Sequence, residues 1–446
     1  MYRTLPQSLL QLSELSPTPL YAVGGIVRDF LLGATTSTPD YDICAPMPAD
    51  EFAALASANG FTVKSVYKNT GTIKLCDALG TPFEFASFRS DKYVRGIHAP
   101  IETVFTKDIT ADAKRRDFTA NAVYYDIKNR TFVDPLQGIA AIQEKRLTTV
   151  REAEKVFSED GLRLMRLARF AGQLGFSPDT QCLLGAKANA SLIRDIVPER
   201  IFSELSAILM ADLRFGNKGG HYQGLSVLDK TGVLDYILPE LTLGRNMVQR
   251  PDFHKYDILE HSLRAALYAP PAIRLAALLH DIGKPFCFQR DGNSYAHPQE
   301  GAAIASLVLQ RLKAPKKTIE EIATLIACHM YDFNCQTKES KLLRYLVTHI
   351  DVLPQLLALK QADFSACMDN TSTAPTCVRW QALLSKMQEE KVPFHVRDLA
   401  VSGKDLLNLS IPKQAISQTL QSLLLHVALQ PKDNNKSTLL KLALCK

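Results

Sequence analysis

LYAVGGIVRDFLLG, residues 20–33, is the stretch on which the fold turns. A short apolar run, LYAV, ends at two glycines. IVRDFLL then carries apolar residues at helical spacing until Gly33 stops it. DYDIC (40–44) reads as the next strand, with Asp40 and Asp42 on one face because side chains alternate along a strand. PADEFAALASANG (48–60) reads as an amphipathic helix closed by Gly60, and GTIKLC (71–76) and PFEFASF (82–88) as two further strands. Upstream, residues 1–19 predict a short amphipathic helix ending at Pro17 and Pro19. Downstream, 88–105 lack periodicity and read as a loop, and KDITADAKRRDFTANAVYYD (107–126) begins helical and ends strand-like. These elements predict an α+β head.

From about Ser158 the pattern changes. EDGLRLMRLARFAGQLGF (159–176) is strongly periodic at helical spacing, and nearly everything after it is helical. The expected division is a head over 1–150, a helical neck and body over 151–250, a third segment over 251–370 and a helical tail over 371–446. A chain of 446 residues calls for several cores.

The head carries a chemical pattern. Two glycines after a strand, Gly24 and Gly25, let a bulky anion approach the backbone, and the helix behind them presents its positive end. Two carboxylates pointing the same way, Asp40 and Asp42, can hold Mg²⁺, a hard ion that takes oxygen ligands and accompanies triphosphates. A pair of such ions can activate an attacking hydroxyl and stabilise leaving pyrophosphate. Taken alone, the same residues also describe a glycine turn and a surface Asp pair. RRDFTANA (115–122) offers two guanidinium groups for phosphates, Arg115 and Arg116, with Asp117 placed to orient one; a charge cluster at a helix end fits it too. EDGLRLMR (159–166) puts Glu159, Asp160 and Arg163 on one helix surface, where a carboxylate and a guanidinium can match the edge of a base, or simply pair with each other.

In order along the chain these become GGxVRD, DxD, RRDFTxNA and EDxxRxxRxxRF, a combination that resembles the bacterial-type tRNA nucleotidyltransferase family. That family includes CCA-adding, CC-adding and A-adding enzymes and bacterial poly(A) polymerases. The resemblance implies a polymerase-β-like palm followed by helical neck, body and tail. It implies a tRNA 3′ end, CTP and ATP as partners. By the resemblance, Asp40 and Asp42 bind catalytic Mg²⁺, while Gly24, Gly25 and Arg28 contact the triphosphate. Arg115, Arg116, Asp117 and Asn121 surround the nucleotide sugar and phosphates. Glu159, Asp160 and Arg163 serve as a protein template for the base, with Arg166 and Arg169 adding phosphate contacts. Glu84 falls in a strand where the family usually has an acidic residue. The expected reaction is template-independent addition of CCA, with A addition or poly(A) synthesis as the alternatives. Two features depart from the family pattern. The spacer ATTSTP (34–39) is long, and the loop RSDKYVRGIHAP (89–100), which in the family is tied to the switch from C to A addition, has unfamiliar wording.

The third segment holds a second constellation: His261, then HDIGKP with His280 and Asp281, then His297, His329 and Asp363. Imidazole and carboxylate together suit a divalent transition metal such as Zn, Mn, Fe or Ni, which lowers the pKa of bound water. The alternative is a metal-free helical body. The string H…HD…D resembles the HD phosphohydrolase superfamily. That resemblance implies His261, His280, Asp281 and Asp363 as ligands, with His297 and His329 as the extra histidines of dinuclear members, and hydrolysis of a phosphoester as a further possible activity. Lys284 is placed either to contact a phosphate or to cap a helix. In the tail, DLAVSGKDLLNLSIP (398–412) is similar to wording near the end of HD-bearing family members, and the lone Trp380 reads as core.

The bulk numbers set outer bounds. With 46% apolar and 22% charged residues, the chain is a globular protein rather than a disordered or fibrous one. Net charge is +6, and from Arg379 onward ten Lys and Arg face five Asp and Glu, which suits a polyanion or merely a solvated helical face. Nine cysteines without a CxxC pair argue against a disulfide framework and a zinc ribbon. No apolar run approaches the roughly 20 residues of a membrane span, and no signal peptide is legible. The expected setting is the cytoplasm, away from membranes.

Overall fold

The computed structural model describes residues 1, 4–34, 40–93 and 100–444. Two compact units result, Met1–Pro239 and Glu240–Lys446. The first unit opens with a helix at Gln7–Leu15 and is built on a seven-stranded mixed sheet. Its strands include β1 (Tyr21–Val23), β2 (Tyr41–Ala45), β3 (Thr62–Tyr67), β4 (Thr72–Cys76) and β5 (Pro82–Ser87). A separate hairpin pairs β6 (Arg89–Lys92) with β7 (Glu102–Phe105), and the sheet resumes with β8 (Tyr124–Asp126) and β9 (Thr131–Val133). Strand order is β3-β4-β5-β2-β1-β8-β9. The β2–β5 pair is parallel and its neighbours are antiparallel.

Alternation along these strands explains what they bury. In β5, Phe83 and Phe85 face inward while Glu84 is exposed. Phe85 stacks on Phe52 of the helix Ala49–Ala58 with ring centroids 3.7 Å apart, which fastens that helix to the sheet. A second cluster joins Val23, Cys44, Phe88 and Tyr124 to Val156, tying the sheet to the first helix of the neck.

After the sheet the chain is helical apart from a two-residue pairing of Arg146–Leu147 with Ser177–Pro178. The α+β head followed by a helical remainder is therefore as the sequence led us to expect. Two local expectations need correction. The 88–105 segment is not simply a loop: Arg89–Lys92 and Glu102–Phe105 form a hairpin, although its central residues 94–99, like 35–39 of the spacer, lie outside the described residues. The stretch 159–176 is not one helix. A helix ends at Glu159, Asp160 is extended (φ −147°, ψ 108°), and a new helix runs from Leu162 to Leu174. Glu159, Asp160 and Arg163 thus flank a bend rather than sharing one helix face.

The second unit is helical throughout its described residues. Its helices Ile258–Tyr268, Arg274–Leu279, Lys316–Cys328 and Leu353–Met368 pack on one another. Trp380 is fully buried, as expected of a core residue, and its indole N–H donates to Asp332 at 3.0 Å. No single helix among the described residues is long and apolar enough to cross a membrane.

Candidate functional site

The first unit contains a cavity of about 400 Å³ between the sheet and the helices that follow it. Its floor is the glycine turn. Gly24 adopts φ +77°, a region that disfavours side chains, and a Cβ there would lie 3.2 Å from Asp42 Oδ2. The turn and the carboxylate therefore fit one another. Asp40 precedes β2 and Asp42 lies within it, and both line the cavity. Glu84 sits opposite Asp42 in the parallel β2–β5 register, so the two side chains share a face of the sheet. Burial raises the Asp42 carboxyl to about 6; Glu84 and Asp40 add to the rise, and Arg116 and Arg166 oppose it. Such a carboxylate gains from a bound cation.

Seven arginines and five aspartates line this cavity. Their placement depends on a network that links distant segments. Arg28 is buried, donates to Asp29 Oδ1 at 2.6 and 2.9 Å, and donates to Asn121 Oδ1 at 2.6 Å. Asn121 donates in turn to Asp117 Oδ1 at 3.1 Å, and the other oxygen of Asp117 accepts from Arg166 Nε at 2.7 Å. These bonds outweigh the cost of burial and hold Asp117 well below the usual carboxylate range. Asp29 Oδ2 lies 3.0 Å from Arg214 of the neck. Arg28, Arg166 and Arg169 all lie against the ring of Phe170, at 5.1, 5.1 and 4.4 Å from its centroid, and Arg169 also donates to Glu204.

The base-reading residues expected from EDxxR are arranged unequally. Asp160 lines the cavity, and its Oδ1 accepts from the Leu162 amide at 2.9 Å. Arg163 also lines it, held by the carbonyls of Val156 and Arg115 at 2.9 and 2.7 Å and by Glu159 at 2.9 Å. Glu159 itself is outside the cavity lining and pairs with Arg151 and Arg163. Arg115 is likewise outside the lining; it binds Asp112 at 2.7 Å. Asp112, fully buried, also takes Arg116 at 3.2 Å and the Tyr124 hydroxyl at 2.7 Å. Sequence reading passed over Asp112, although its spacing of three and four residues from Arg115 and Arg116 was the signal. It also passed over Arg200 and Arg214, which line the cavity from helices with no local motif.

The second unit gathers all six of its expected ligand residues. Asp281 is central. Its Oδ1 lies 3.3 Å from His297 Nε2 and 3.8 Å from His329 Nε2. Its Oδ2 lies 3.4 Å from His280 Nε2, 3.5 Å from His261 Nε2 and 2.6 Å from Lys284 Nζ. Asp363 Oδ1 stands 3.0 Å from His261 Nε2 and 3.4 Å from His280 Nε2. The Nδ1 atoms of His280, His297 and His329 lie 2.6–2.7 Å from the carbonyls of Ala277, Ser294 and Ile326. A carbonyl only accepts, so in the neutral ring Nδ1 carries the proton and Nε2 turns its lone pair to the centre.

Two such lone pairs, on His297 and His329, stand 3.2 Å apart, which a shared cation would relieve. Burial opposes charge on His280, yet Asp281 and Asp363 raise it to about 10. Burial, with His280 and His297 nearby, pushes His329 down to about 3. The donor set suits a metal ion, and Lys284, bonded to Asp281 and to Gln249 at 2.8 Å, is part of the cluster rather than a simple cap.

Comparison with known proteins matches three stretches of the chain to family models. Residues 20–148 match the poly A polymerase head domain, 175–243 the probable RNA- and SrmB-binding site of polymerase A, and 258–353 the HD domain. An A-adding tRNA nucleotidyltransferase of Deinococcus radiodurans is 30% identical over 79% of this chain and 77% of its own length. A multifunctional CCA protein of Xylella fastidiosa is 32% identical over 69% of this chain and 72% of its own. Among solved structures, the CCA-adding enzyme of Bacillus stearothermophilus in complex with CTP superposes with a TM-score of 0.65 at 24% identity, covering 95% of this chain and 93% of that one, which establishes a common fold. With a head site of paired carboxylates and converging arginines, and relatives alike over most of their length, the chain belongs to the tRNA nucleotidyltransferase family.

Proposed function

We propose that the chain adds CCA to the 3′ end of tRNA without a nucleic-acid template, using CTP and ATP. One observation carries this reading: the cavity in which Asp40 and Asp42 face a glycine turn and seven arginines, a balance suited to a metal-bound triphosphate. Asp40 and Asp42 would hold Mg²⁺, which when bound neutralises the triphosphate and supports attack by the RNA hydroxyl. Glu84, on the same face as Asp42, would add negative charge beside that site.

The protein's own groups would do the positioning. The amides at Gly24 and Gly25 and the guanidinium of Arg28 would bind the triphosphate. Arg116, Asp117 and Asn121 would frame the sugar and phosphates, and Arg166 and Arg169 would add phosphate contacts. Asp160 and Arg163 would offer acceptor and donor edges to the base, with Glu159 and the Arg115 carbonyl holding Arg163 in place. Arg115 itself would act by orienting Asp112.

A second product deserves a place because the Deinococcus relative is named an A-adding enzyme. Purified protein offered tRNA lacking its last three nucleotides separates the two: extension to CCA only when CTP and ATP are both present supports CCA addition. Extension restricted to tRNA already ending in CC would make it an A-adding enzyme, and long A tails a poly(A) polymerase. The histidine–aspartate cluster of the second unit supports an additional metal-dependent phosphohydrolase activity: His261, His280, Asp281, His297, His329 and Asp363 would hold a divalent transition metal, which would lower the pKa of bound water. Hydrolysis as the sole activity is not favoured, because the head cavity gathers Asp40, Asp42 and seven arginines and the named relatives are nucleotidyltransferases or CCA proteins.

A further inference from the structure

The histidine–aspartate cluster has a neighbouring group in which two of the three residues, His254 and Cys367, belong to no expected ligand set. His254, His261 and Cys367 offer donor atoms that all lie within 4.8 Å of one another. Three segments create this group. His261 projects from the helix Ile258–Tyr268, which packs on the helix Leu353–Met368. Cys367 stands one turn beyond Asp363 on that second helix, so the two share a face. His254 comes from the segment just before the first helix, and the Lys255 amide donates to the Cys367 carbonyl at 2.9 Å, fixing that segment against the helix end.

Two observations point to a ligand. The Nδ1 atoms of both His254 and His261 are buried and have no hydrogen-bond partner among the described residues, and His261 is wholly inaccessible. Buried polar atoms without partners are uncommon in folded proteins. The two rings meet edge to face, with centroids 5.0 Å apart at 85°.

We propose that His254, His261 and Cys367 form a Zn²⁺ site beside the histidine–aspartate cluster, sharing His261 with it. One thiolate and two imidazoles make a softer donor set than the all-oxygen-and-nitrogen cluster next to it, and such sets take Zn²⁺ in tetrahedral geometry. Bonds of about 2.3 Å to sulfur and about 2.0 Å to nitrogen place donors roughly 3.5 Å apart around one tetrahedral ion, so side-chain rotations that draw the three donors together by about an ångström close the group. Binding displaces the thiol proton to solvent, and the sulfur becomes a thiolate ligand; His261, whose Nε2 faces the neighbouring cluster, binds through Nδ1, and when both sites are filled its ring proton is released to solvent as well. Because His261 belongs to both sets, an ion here also fixes the ring that the neighbouring cluster uses. The site is independent of nucleotide addition.

The test uses full-length protein stripped of metal and titrated with Co²⁺ as a coloured substitute for Zn²⁺. Wild type should develop a near-ultraviolet thiolate-to-cobalt charge-transfer band that Zn²⁺ abolishes. Cys367→Ser should lose that band while keeping the visible absorption of cobalt bound in the histidine–aspartate cluster, which also reports that the unit is folded. His254→Ala should weaken the band's apparent affinity at least ten-fold, and Asp281→Ala should retain the band. Absence of the band in wild type, its persistence in Cys367→Ser, or an unchanged affinity in His254→Ala would each overturn the proposal.

Discussion

Asp117 and Arg166 stand forty-nine residues apart in the chain, yet Oδ2 of the first lies 2.6 Å from Nη2 of the second and accepts from its Nε at 2.7 Å. One belongs to the head and the other to the neck helix, and both line the same cavity. The pair is paralleled by Asp29 and Arg214 at 3.0 Å, so two head carboxylates each orient a neck guanidinium. Asp117→Asn keeps the shape but removes the charge that fixes Arg166. A charge-assisted bond of this kind contributes about 1.5–3 kcal/mol, which corresponds to a roughly 10- to 100-fold fall in kcat/KM for nucleotide addition. Steady-state kinetics at varied nucleotide concentration measure it, and a rate within two-fold of wild type would exclude the orienting role.

Asp42→Ala removes a carboxylate from the candidate Mg²⁺ site without touching the basic helices. Nucleotide addition should fall by about 1,000-fold or more, a loss of about 4 kcal/mol at the barrier, while tRNA binding changes little. Filter binding and primer extension on the same preparation check both. Equal loss of binding and extension would mean that Asp42 supports the fold instead.

Asp112 gives a prediction with a pH sign. Burial alone would raise its carboxyl, but Arg116, Arg115 and the Tyr124 hydroxyl lower it to about 2 from an ordinary 3.8. A depressed carboxyl contributes stability above its unfolded value, and that contribution is lost as pH falls from about 4 towards 2. Asp112→Asn should therefore cost about 2–4 kcal/mol at pH 7, because it also leaves two arginines short of a counter-charge. Urea unfolding of both proteins should show the gap narrowing below pH 4; a gap constant with pH would contradict the ion-pair account.

Asp281→Ala should release the metal held by the histidine–aspartate cluster, leave any ion bound by His254, His261 and Cys367 in place, and abolish any metal-dependent phosphoesterase activity while sparing nucleotide addition. Elemental analysis of the purified variant checks the metal content, a phosphodiester assay the hydrolysis and primer extension the addition. Loss of extension as well would make the cluster structural for the whole chain.

Much of this was legible residue by residue. Alternation placed Asp40 and Asp42 together, and helical spacing placed the apolar stripe of 162–174. The bend at Asp160 was hidden because Gly161 is itself close to helical (φ −59°, ψ −22°) and the apolar period runs across it. The β6–β7 hairpin was missed because RSDK and ETVF lack strict apolar alternation, and their pairing is a tertiary matter. Arg200 and Arg214 carry no motif; only packing of the neck brings them to the cavity. His254 and Cys367 were overlooked for the same reason, being 113 residues apart and joined by two packed helices.

The most direct test of the central claim is extension of tRNA lacking its final three nucleotides, with Mg²⁺ and CTP alone, ATP alone, or both. The account predicts a product ending in CCA only when both nucleotides are present. No extension under any of the three conditions, from protein that still binds the tRNA, would contradict it.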